Sequence, residues 1–281
     1  MGKYTDGRNL GRRISVSSNA LLYDLTGRSE GSRNRIIAEV HGGDYDVALW
    51  VLSRTLLSEK ESAILEYPCM IKVKGRKPDT FVIGNGIQTI NVAKALGEMD
   101  RLITAEKFPI VLEEALQFHG VEDDAPNYTP RIVGIAEMSI DEKSRGFEKA
   151  CLGIIYRDDD KGKPRDDKLP PGTVETVDNN PYIGSFQSIA TYTSDSPECT
   201  SAQGQIVTFN APKFGNTDDN LYLTTAPAQS LAEWEYKQLQ QFFVEEATLG
   251  IVDTRVATAA IVPLKPSGFS IGIKNRHPVR D

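Results

Sequence analysis

The order in which the chain changes periodicity constrains its fold more than any other feature. Residues Ile14 to Thr26 mix alternation with β-branched side chains around a Ser-Ser-Asn-Ala centre, which predicts a hairpin, and Arg35 to Val40 predicts a further strand. Cys69 to Val73 and Thr80 to Ile83 flank the loop signal Lys74-Gly75-Arg76-Lys77-Pro78-Asp79, so a second hairpin is expected there. Helical spacing then takes over. Val92, Ala95, Leu96 and Met99 fall at i, i+3, i+4 and i+7 in a segment from about Ile87 to Met99. Leu112, Ala115 and Leu116 repeat the pattern in a second helix, with Pro109 in its first turn and Gly120 at its end. Strands are expected at Ile132 to Met138 and Ala150 to Tyr156, then a surface loop from Arg157 to Gly172, then strands at Phe186 to Thr193 and Gln205 to Asn210. Ser230-Leu231-Ala232-Glu233 has the form of a capping box. With Leu231, Trp234, Leu239, Phe242 and Phe243 it predicts a helix over roughly 230 to 249, closed by Gly250. The last expected strands are Ile251 to Val262 and Phe269 to Ile273.

This order lacks the regular strand-helix alternation of a doubly wound parallel sheet, and an α+β fold with antiparallel sheets follows. A chain of 281 residues can bury a continuous core, and no repeat or composition break marks a second domain, so a single domain over residues 1–281 is expected. Hydrophobic residues at 40% and charged residues at 25% are ordinary for a soluble globule. No uncharged apolar run is long enough to cross a bilayer, and Met1-Gly2-Lys3-Tyr4 lacks the apolar core of a signal peptide. A cytoplasmic address without a membrane partner is the expectation. A net charge of −7 repels nucleic acid, yet a few pocket arginines can still bind one phosphate group. Cys69, Cys151 and Cys199 are far apart and form no CxxC pair, which reads as buried free thiols in a reducing compartment.

A transition-metal site needs clustered ligands, whereas His41, His119 and His277 are isolated from one another and from the cysteines, so no metal is expected. The Gly-x-Ser-x-Gly elbow and the phosphate loop of P-loop nucleotidases are absent. Gly84-Asn85-Gly86 lies between an expected strand and helix, where backbone amides can meet a phosphate or carboxamide. A turn needing positive φ explains the same glycines equally well. Arginine is the informative residue type. Arg28, Arg33 and Arg35 crowd one short stretch, and Arg12 and Arg13 precede the same hairpin. Their planar forks suit phosphate and carbonyl oxygens, although a solvated basic loop is the simpler reading from physics alone.

The stretch Leu22-Tyr23-Asp24-Leu25-Thr26-Gly27-Arg28-Ser29-Glu30-Gly31-Ser32-Arg33-Asn34-Arg35 resembles a signature of the archaeal-type IMP cyclohydrolase family and its bacterial relatives, in which a tyrosine-bearing strand runs into Arg-Ser and Asn-Arg pairs. Further pieces occur in the family's order. Asn9-Leu10-Gly11-Arg12 resembles its opening Tyr-x-Gly-Arg, and Tyr67-Pro68-Cys69 its Tyr-x-Cys strand. Gly84-Asn85-Gly86-Ile87-Gln88-Thr89 resembles a Ser-Asn-Gly-x-x-Thr turn, Tyr128-Thr129-Pro130-Arg131-Ile132 a Thr-Pro-Arg-Ile strand entry, and Ile189-Ala190-Thr191-Tyr192 an Ile-Ser-Thr-Tyr strand. The pieces cover about residues 9–193, and residues 200–281 have no motif support. Asn9 departs from the family's tyrosine, and the acidic residue before Thr-Pro-Arg falls among Glu122, Asp123 and Asp124.

The resemblance implies an Ntn-hydrolase-like four-layer sandwich, two antiparallel β-sheets between helical layers, without self-processing. It implies closure of 5-formamidoimidazole-4-carboxamide ribonucleotide to IMP with loss of water, a purine nucleotide as partner, and no cofactor. Phosphate or base anchoring falls to Arg12, Arg28 and Arg35, with Ser29, Thr89 and Arg131 also at the substrate. Asn34 and the Asn85-Gly86 turn orient the carboxamide or formyl group, Tyr67 donates a proton or steadies an oxyanion, and Asp123 or Asp124 serves as base. Homo-oligomerisation stays open. The rival readings are an Ntn-type amidohydrolase, which Gly2 does not favour because it carries no nucleophile, and a purine-nucleotide-binding protein without turnover.

Overall fold

The computed structural model describes residues 11–27, 30–41, 45–98, 105–122, 129–141, 146–157, 172–179, 185–191, 207–210, 228–239, 243–246, 250–253, 255–264 and 268–279. The first hairpin is present as β1 (Arg12–Ser17) and β2 (Ala20–Thr26), with Arg12 opposite Leu25 and Ser17 opposite Ala20. Ser17 Oγ accepts from the Asn19 and Ala20 amides at 3.3 and 3.1 Å, which closes the turn. A short helix, α1 (Glu30–Arg33), leads into β3 (Arg35–Val40), a strand that matches its expected limits. β4 (Val47–Ser53) and α2 (Glu59–Leu65) have no counterpart among the sequence expectations. The capping box sits here: Ser58 accepts from the Glu61 amide while the Glu61 carboxylate accepts from the Ser58 amide. β5 (Tyr67–Lys72) and β6 (Thr80–Gly84) form the second hairpin, and α3 (Gln88–Glu98) and α4 (Phe108–His119) the helix pair. Pro109 lies in the first turn of α4, and Gly120 ends it with φ 63°, a backbone that favours glycine.

β7 (Arg131–Met138), β8 (Phe147–Arg157), β9 (Gly172–Asn179), β10 (Ser185–Ala190) and β11 (Val207–Asn210) follow. Of these, β9 has no sequence counterpart, and residues 158–171 of the expected surface loop lie outside the described residues. The late helix needs correction. α5 (Ala228–Gln238) begins before Ser230, so Ser230 is an exposed residue inside it and caps nothing. The five-residue step from Trp234 to Leu239 breaks the helical phase, and the aromatic and β-branched run beyond suits a pleated strand. That run forms β12 (Phe243–Glu246), paired with β13 (Gly250–Asp253). β14 (Arg255–Pro263) and β15 (Phe269–Asn275) complete the described elements.

The larger sheets are antiparallel: one has six strands in the order β11-β10-β1-β2-β14-β15, the other seven in the order β3 to β9. Alternation along each strand divides their side chains between two faces. Ile14, Leu21, Tyr23, Leu25 and Ile261 from the first sheet meet Ile37, Phe81, Ile132 and Leu152 from the second in a central core. On the second sheet's outer face, Val82, Val133 and Ile135 pack under Val92 and Leu96 of α3 and Leu112 and Leu116 of α4. On the first sheet's outer face, Leu22, Phe186 and Ala260 pack under Leu231 and Ala232 of α5. Two antiparallel sheets therefore lie between helical layers. Gly272 makes the α5 contact close: a Cβ there would lie 2.1 Å from the Ala228 carbonyl oxygen. Cys69 and Cys151 are buried free thiols, while Cys199 is outside the described residues. No helix among the described residues is long and apolar enough to cross a membrane.

Candidate functional site

Antiparallel pairing carries the starts of β1, β3, β5 and β7 and the ends of β2, β4, β6 and β15 to one end of the sandwich. Polar groups replace the aliphatic core there. Arg12 continues the inward face of Ile14 and Val16, Tyr23 that of Leu21 and Leu25, Arg35 that of Ile37, and Tyr67 that of Cys69. Arg12 Nε donates to the Tyr67 hydroxyl at 3.2 Å, and the Tyr67 and Tyr23 hydroxyls are 2.9 Å apart. Arg12 Nη2 lies 3.5 Å from Glu122 Oε2, so Glu122, the described residue of the acidic run, faces this cluster. Burial alone would lower the Arg12 pKa, but Glu122 foremost, with Tyr67 and Tyr23, holds it well above the usual arginine value. Burial raises Tyr23 well above the usual phenol range, aided by Tyr67 and Cys69 and opposed by Arg12.

Arg35 is 1% exposed. Its Nε donates to the Ser32 carbonyl at 2.8 Å, while its Nη1 is buried without a hydrogen-bond partner among the described residues. Gly27 permits that arrangement, since a Cβ at Gly27 would stand 2.6 Å from the Ser32 carbonyl group. Burial lowers the Arg35 pKa, with Tyr67 and Glu122 opposing and Arg12 adding to the effect. A guanidinium nonetheless stays charged at neutral pH.

The Gly84-Asn85-Gly86 turn stands behind Glu122. Asn85 Nδ2 donates to the Pro130 carbonyl at 2.9 Å and to Glu122 Oε1 at 3.4 Å, and its Oδ1 accepts from the Ile132 amide at 2.7 Å and from Gln88 Nε2 at 2.9 Å. Both ends of this carboxamide are therefore occupied by protein groups. Neither flanking glycine has a left-handed backbone, which corrects the turn-conformation reading. Space decides instead: a Cβ at Gly84 would lie 2.4 Å from Thr89 Oγ1, and one at Gly86 would lie 2.6 Å from Arg131 Nη1. Thr89 Oγ1 is buried without a hydrogen-bond partner among the described residues. Arg131 shares the helix-facing side of β7 with Val133 and Ile135, and its Nη1 donates to Gln88 Oε1 at 3.3 Å.

Arg12, Arg35 and Tyr67 thus share one buried cluster, to which Asn85 connects through Glu122. Gly86, Thr89 and Arg131 lie behind that turn. Asn34 is half-buried, its amide donating to the Glu30 carbonyl at 3.0 Å and its carbonyl accepting from the Arg54 amide at 2.8 Å. Arg28, Ser29, Asp123 and Asp124 lie outside the described residues. Sequence reasoning missed Tyr23 and Gln88. The available signal for Tyr23 was a lone phenol on an otherwise aliphatic inward face, whose hydroxyl needs a partner. No group of three or more metal-ligating side chains occurs among the described residues.

Among the described residues, two buried guanidiniums face one carboxylate in this cluster, and an uncompensated buried charge is costly. Fold and site together define a helix-sheet-sheet-helix α+β protein with a cationic, phenol-lined interior suited to an oxygen-rich small ligand. Residues 9–227 match the model of the IMP cyclohydrolase-like protein family, and the chain belongs to that family. No curated protein matches it.

Proposed function

We propose that this protein is an IMP cyclohydrolase of purine biosynthesis, a cytoplasmic enzyme with an Ntn-hydrolase-like sandwich that forms one unit over residues 1–281. The observation that carries the reading is the buried Nη1 of Arg35, without a hydrogen-bond partner among the described residues, beside the Arg12–Tyr67–Tyr23 hydrogen-bonded chain. Family membership supplies the purine nucleotide.

In the reaction, the carboxamide nitrogen attacks the formyl carbon, forming the C–N bond as the carbonyl electron pair moves to oxygen. The Tyr67 hydroxyl accepts from Arg12 Nε and shares a hydrogen bond with the Tyr23 hydroxyl in which either can donate; with Tyr23 donating, the Tyr67 proton is left to go to that oxygen. Arg12 stabilises the developing negative charge, and Arg35 Nη1 holds a carbonyl oxygen of the base. A carboxylate of the Glu122-Asp123-Asp124 run takes the carboxamide proton. The protonated carboxylate returns its proton to the hydroxyl as the C–O bond breaks and water leaves, and the Tyr67 phenolate takes the formamido nitrogen's proton as the C=N bond forms. Asn85, its polar atoms engaged by Gln88, Ile132, Pro130 and Glu122, positions Glu122 instead of touching substrate.

The test is purified protein mixed with the formamido ribonucleotide and followed by the ultraviolet change as IMP forms. Ring closure should proceed and survive EDTA. Binding of IMP with no interconversion would assign the protein to nucleotide binding alone.

A further inference from the structure

A second group of cations gathers at the same end of the sandwich, outside the Arg12–Tyr67–Arg35 cluster. Arg33 ends α1, and the amide of Arg54, just after β4, donates to the neighbouring Asn34 carbonyl at 2.8 Å. The Asn275 side chain at the end of β15 accepts from the Ile37 amide and donates to the Ile37 carbonyl, both at 2.8 Å. These bonds pin β15 against β3, and the Arg276 amide, bound to the Val256 carbonyl at 2.8 Å, fixes the next residue. Arg276 and His277 are thereby delivered to the corner that holds Arg33 and Arg54. Arg33 is buried, and Arg54 Nε is buried without a hydrogen-bond partner among the described residues.

We propose that Arg33, Arg54, Arg276 and His277 form an anion-binding corner that takes a phosphate group. Several guanidinium forks from three chain segments suit a tetrahedral, multiply charged acceptor. Nearby carboxylates leave room for it. Both Asp253 carboxylate oxygens accept from Arg255, and Arg276 faces that carboxylate while its Nη1 donates to the Asp253 carbonyl; Glu66 accepts from the Ser53 amide at 2.9 Å and the Ser62 hydroxyl at 2.6 Å, and Glu30 is exposed. Burial, with Arg54 and Arg276 adding to it, lowers the His277 pKa, and burial with Arg276, opposed by Glu30, lowers that of Arg33. Such like-charge crowding is relieved by an anion. Arg276 and His277 also lie beyond the family-matched residues, so that match does not account for this corner.

The phosphate has two sources, the substrate's own 5′-phosphate, an assignment that rests on the proposed function, or a separate phosphate ligand. Binding of inorganic phosphate, IMP and inosine is measured by calorimetry, with the His277 imidazole followed by NMR, in the wild type and in Arg54→Gln/Arg276→Gln. Inorganic phosphate should raise the His277 titration midpoint in the wild type and not in the variant. A fall in IMP affinity of roughly tenfold or more, with inosine unchanged, assigns the corner to the nucleotide phosphate. Loss of phosphate binding with both nucleotide and nucleoside unaffected assigns it to a separate ligand. A wild-type His277 that responds to neither inorganic phosphate nor IMP overturns the proposal without recourse to any variant. Wild-type protein that binds phosphate but neither IMP nor inosine refutes the cyclohydrolase reading and leaves the corner standing.

Discussion

Replacing Tyr67 with phenylalanine removes one oxygen from the centre of the buried cluster and keeps the ring. That hydroxyl accepts from Arg12 Nε at 3.2 Å and meets the Tyr23 hydroxyl at 2.9 Å, with both tyrosines almost wholly buried. Tyr67→Phe therefore strands two buried polar groups, each costing about 1–3 kcal/mol when left unsatisfied. Arg12 keeps Glu122 at 3.5 Å, which moderates its share, and a total of about 2–4 kcal/mol is expected. Tyr23→Phe strands less, because Tyr67 still holds Arg12, and should cost about 1 kcal/mol. The double variant removes the hydroxyl that Tyr67→Phe leaves stranded, so it should be more stable than the sum of the single effects by roughly 1 kcal/mol. Urea unfolding of all four proteins measures this coupling. Single effects that add to within about 0.3 kcal/mol would refute the hydroxyl pair as an energetic unit. In the same set, Tyr67→Phe should lower kcat roughly a hundredfold to a thousandfold, if its proton meets the forming oxyanion.

Arg35→Ala, in a variant with wild-type melting, should weaken IMP and inosine alike by roughly tenfold, because the proposed contact is to the base. Loss confined to IMP would move Arg35 to the phosphate. Burial, with a smaller contribution from Arg131, lowers the His119 pKa, and Asn91 Nδ2 lies 2.6 Å from its Nε2. A depressed folded-state pKa favours the neutral ring, so its stabilisation is present above the unfolded value of about 6.5 and is lost as pH falls through the folded value. An NMR titration placing His119 at or above the ordinary histidine value would contradict this. Gly272→Ala should cost about 2 kcal/mol or more in urea unfolding, since the added Cβ meets Ala228 backbone that cannot rotate away. An unchanged midpoint would show that α5 is not seated on β15.

Where local chemistry decides an element, the sequence was readable. Ser17 and the residues after it define the first turn, and Pro109 and Gly120 bracket α4. Long-range pairing hid the rest. Val47–Ser53 is an apolar run with little alternation, and its pairing with both β3 and β5 makes it a strand. The Ser230 capping signal is overridden because the helix starts earlier, where buried Ala228 meets β15. In the cluster, Arg12, Arg35 and Tyr67 stood out as chemistry-bearing residues, but their common location depends on strand registers that no local pattern specifies. That Glu122 reaches Arg12 was not legible in the acidic run, since the contact joins residues 110 positions apart in the chain. Glycine chemistry misled in one place, because Gly84 and Gly86 make room for side chains instead of supplying a left-handed turn.

The adjacent arginines Arg12 and Arg13 connect the site to residues beyond the family match. Alternation sends Arg12 inward to Tyr67 and Glu122 and Arg13 outward to the layer beneath α5. There Arg13 Nε donates to Asp24 Oδ2 at 2.6 Å and its Nη2 to Glu235 of α5, while Thr258 of β14 donates to Asp24 Oδ1 at 3.1 Å. Burial raises the Asp24 pKa, with Arg13 and Thr258 opposing, so this network carries a desolvation cost and is a weak source of stability. Its stronger effect is on register. A one-residue slip of β1 would turn Arg13 toward the tyrosines and Arg12 toward α5, exchanging every inward side chain of the strand for an outward one. Asp24, Glu235 and Thr258 on one face and Glu122 and Tyr67 on the other each accept or direct polar partners in the observed register. Tyr23 is fixed in the same way, because β14 pairs along β2 with Ala259 opposite it. The segment after residue 227 therefore belongs to the machinery that aims Arg12 and Tyr23 into the site, although the family match stops just before α5.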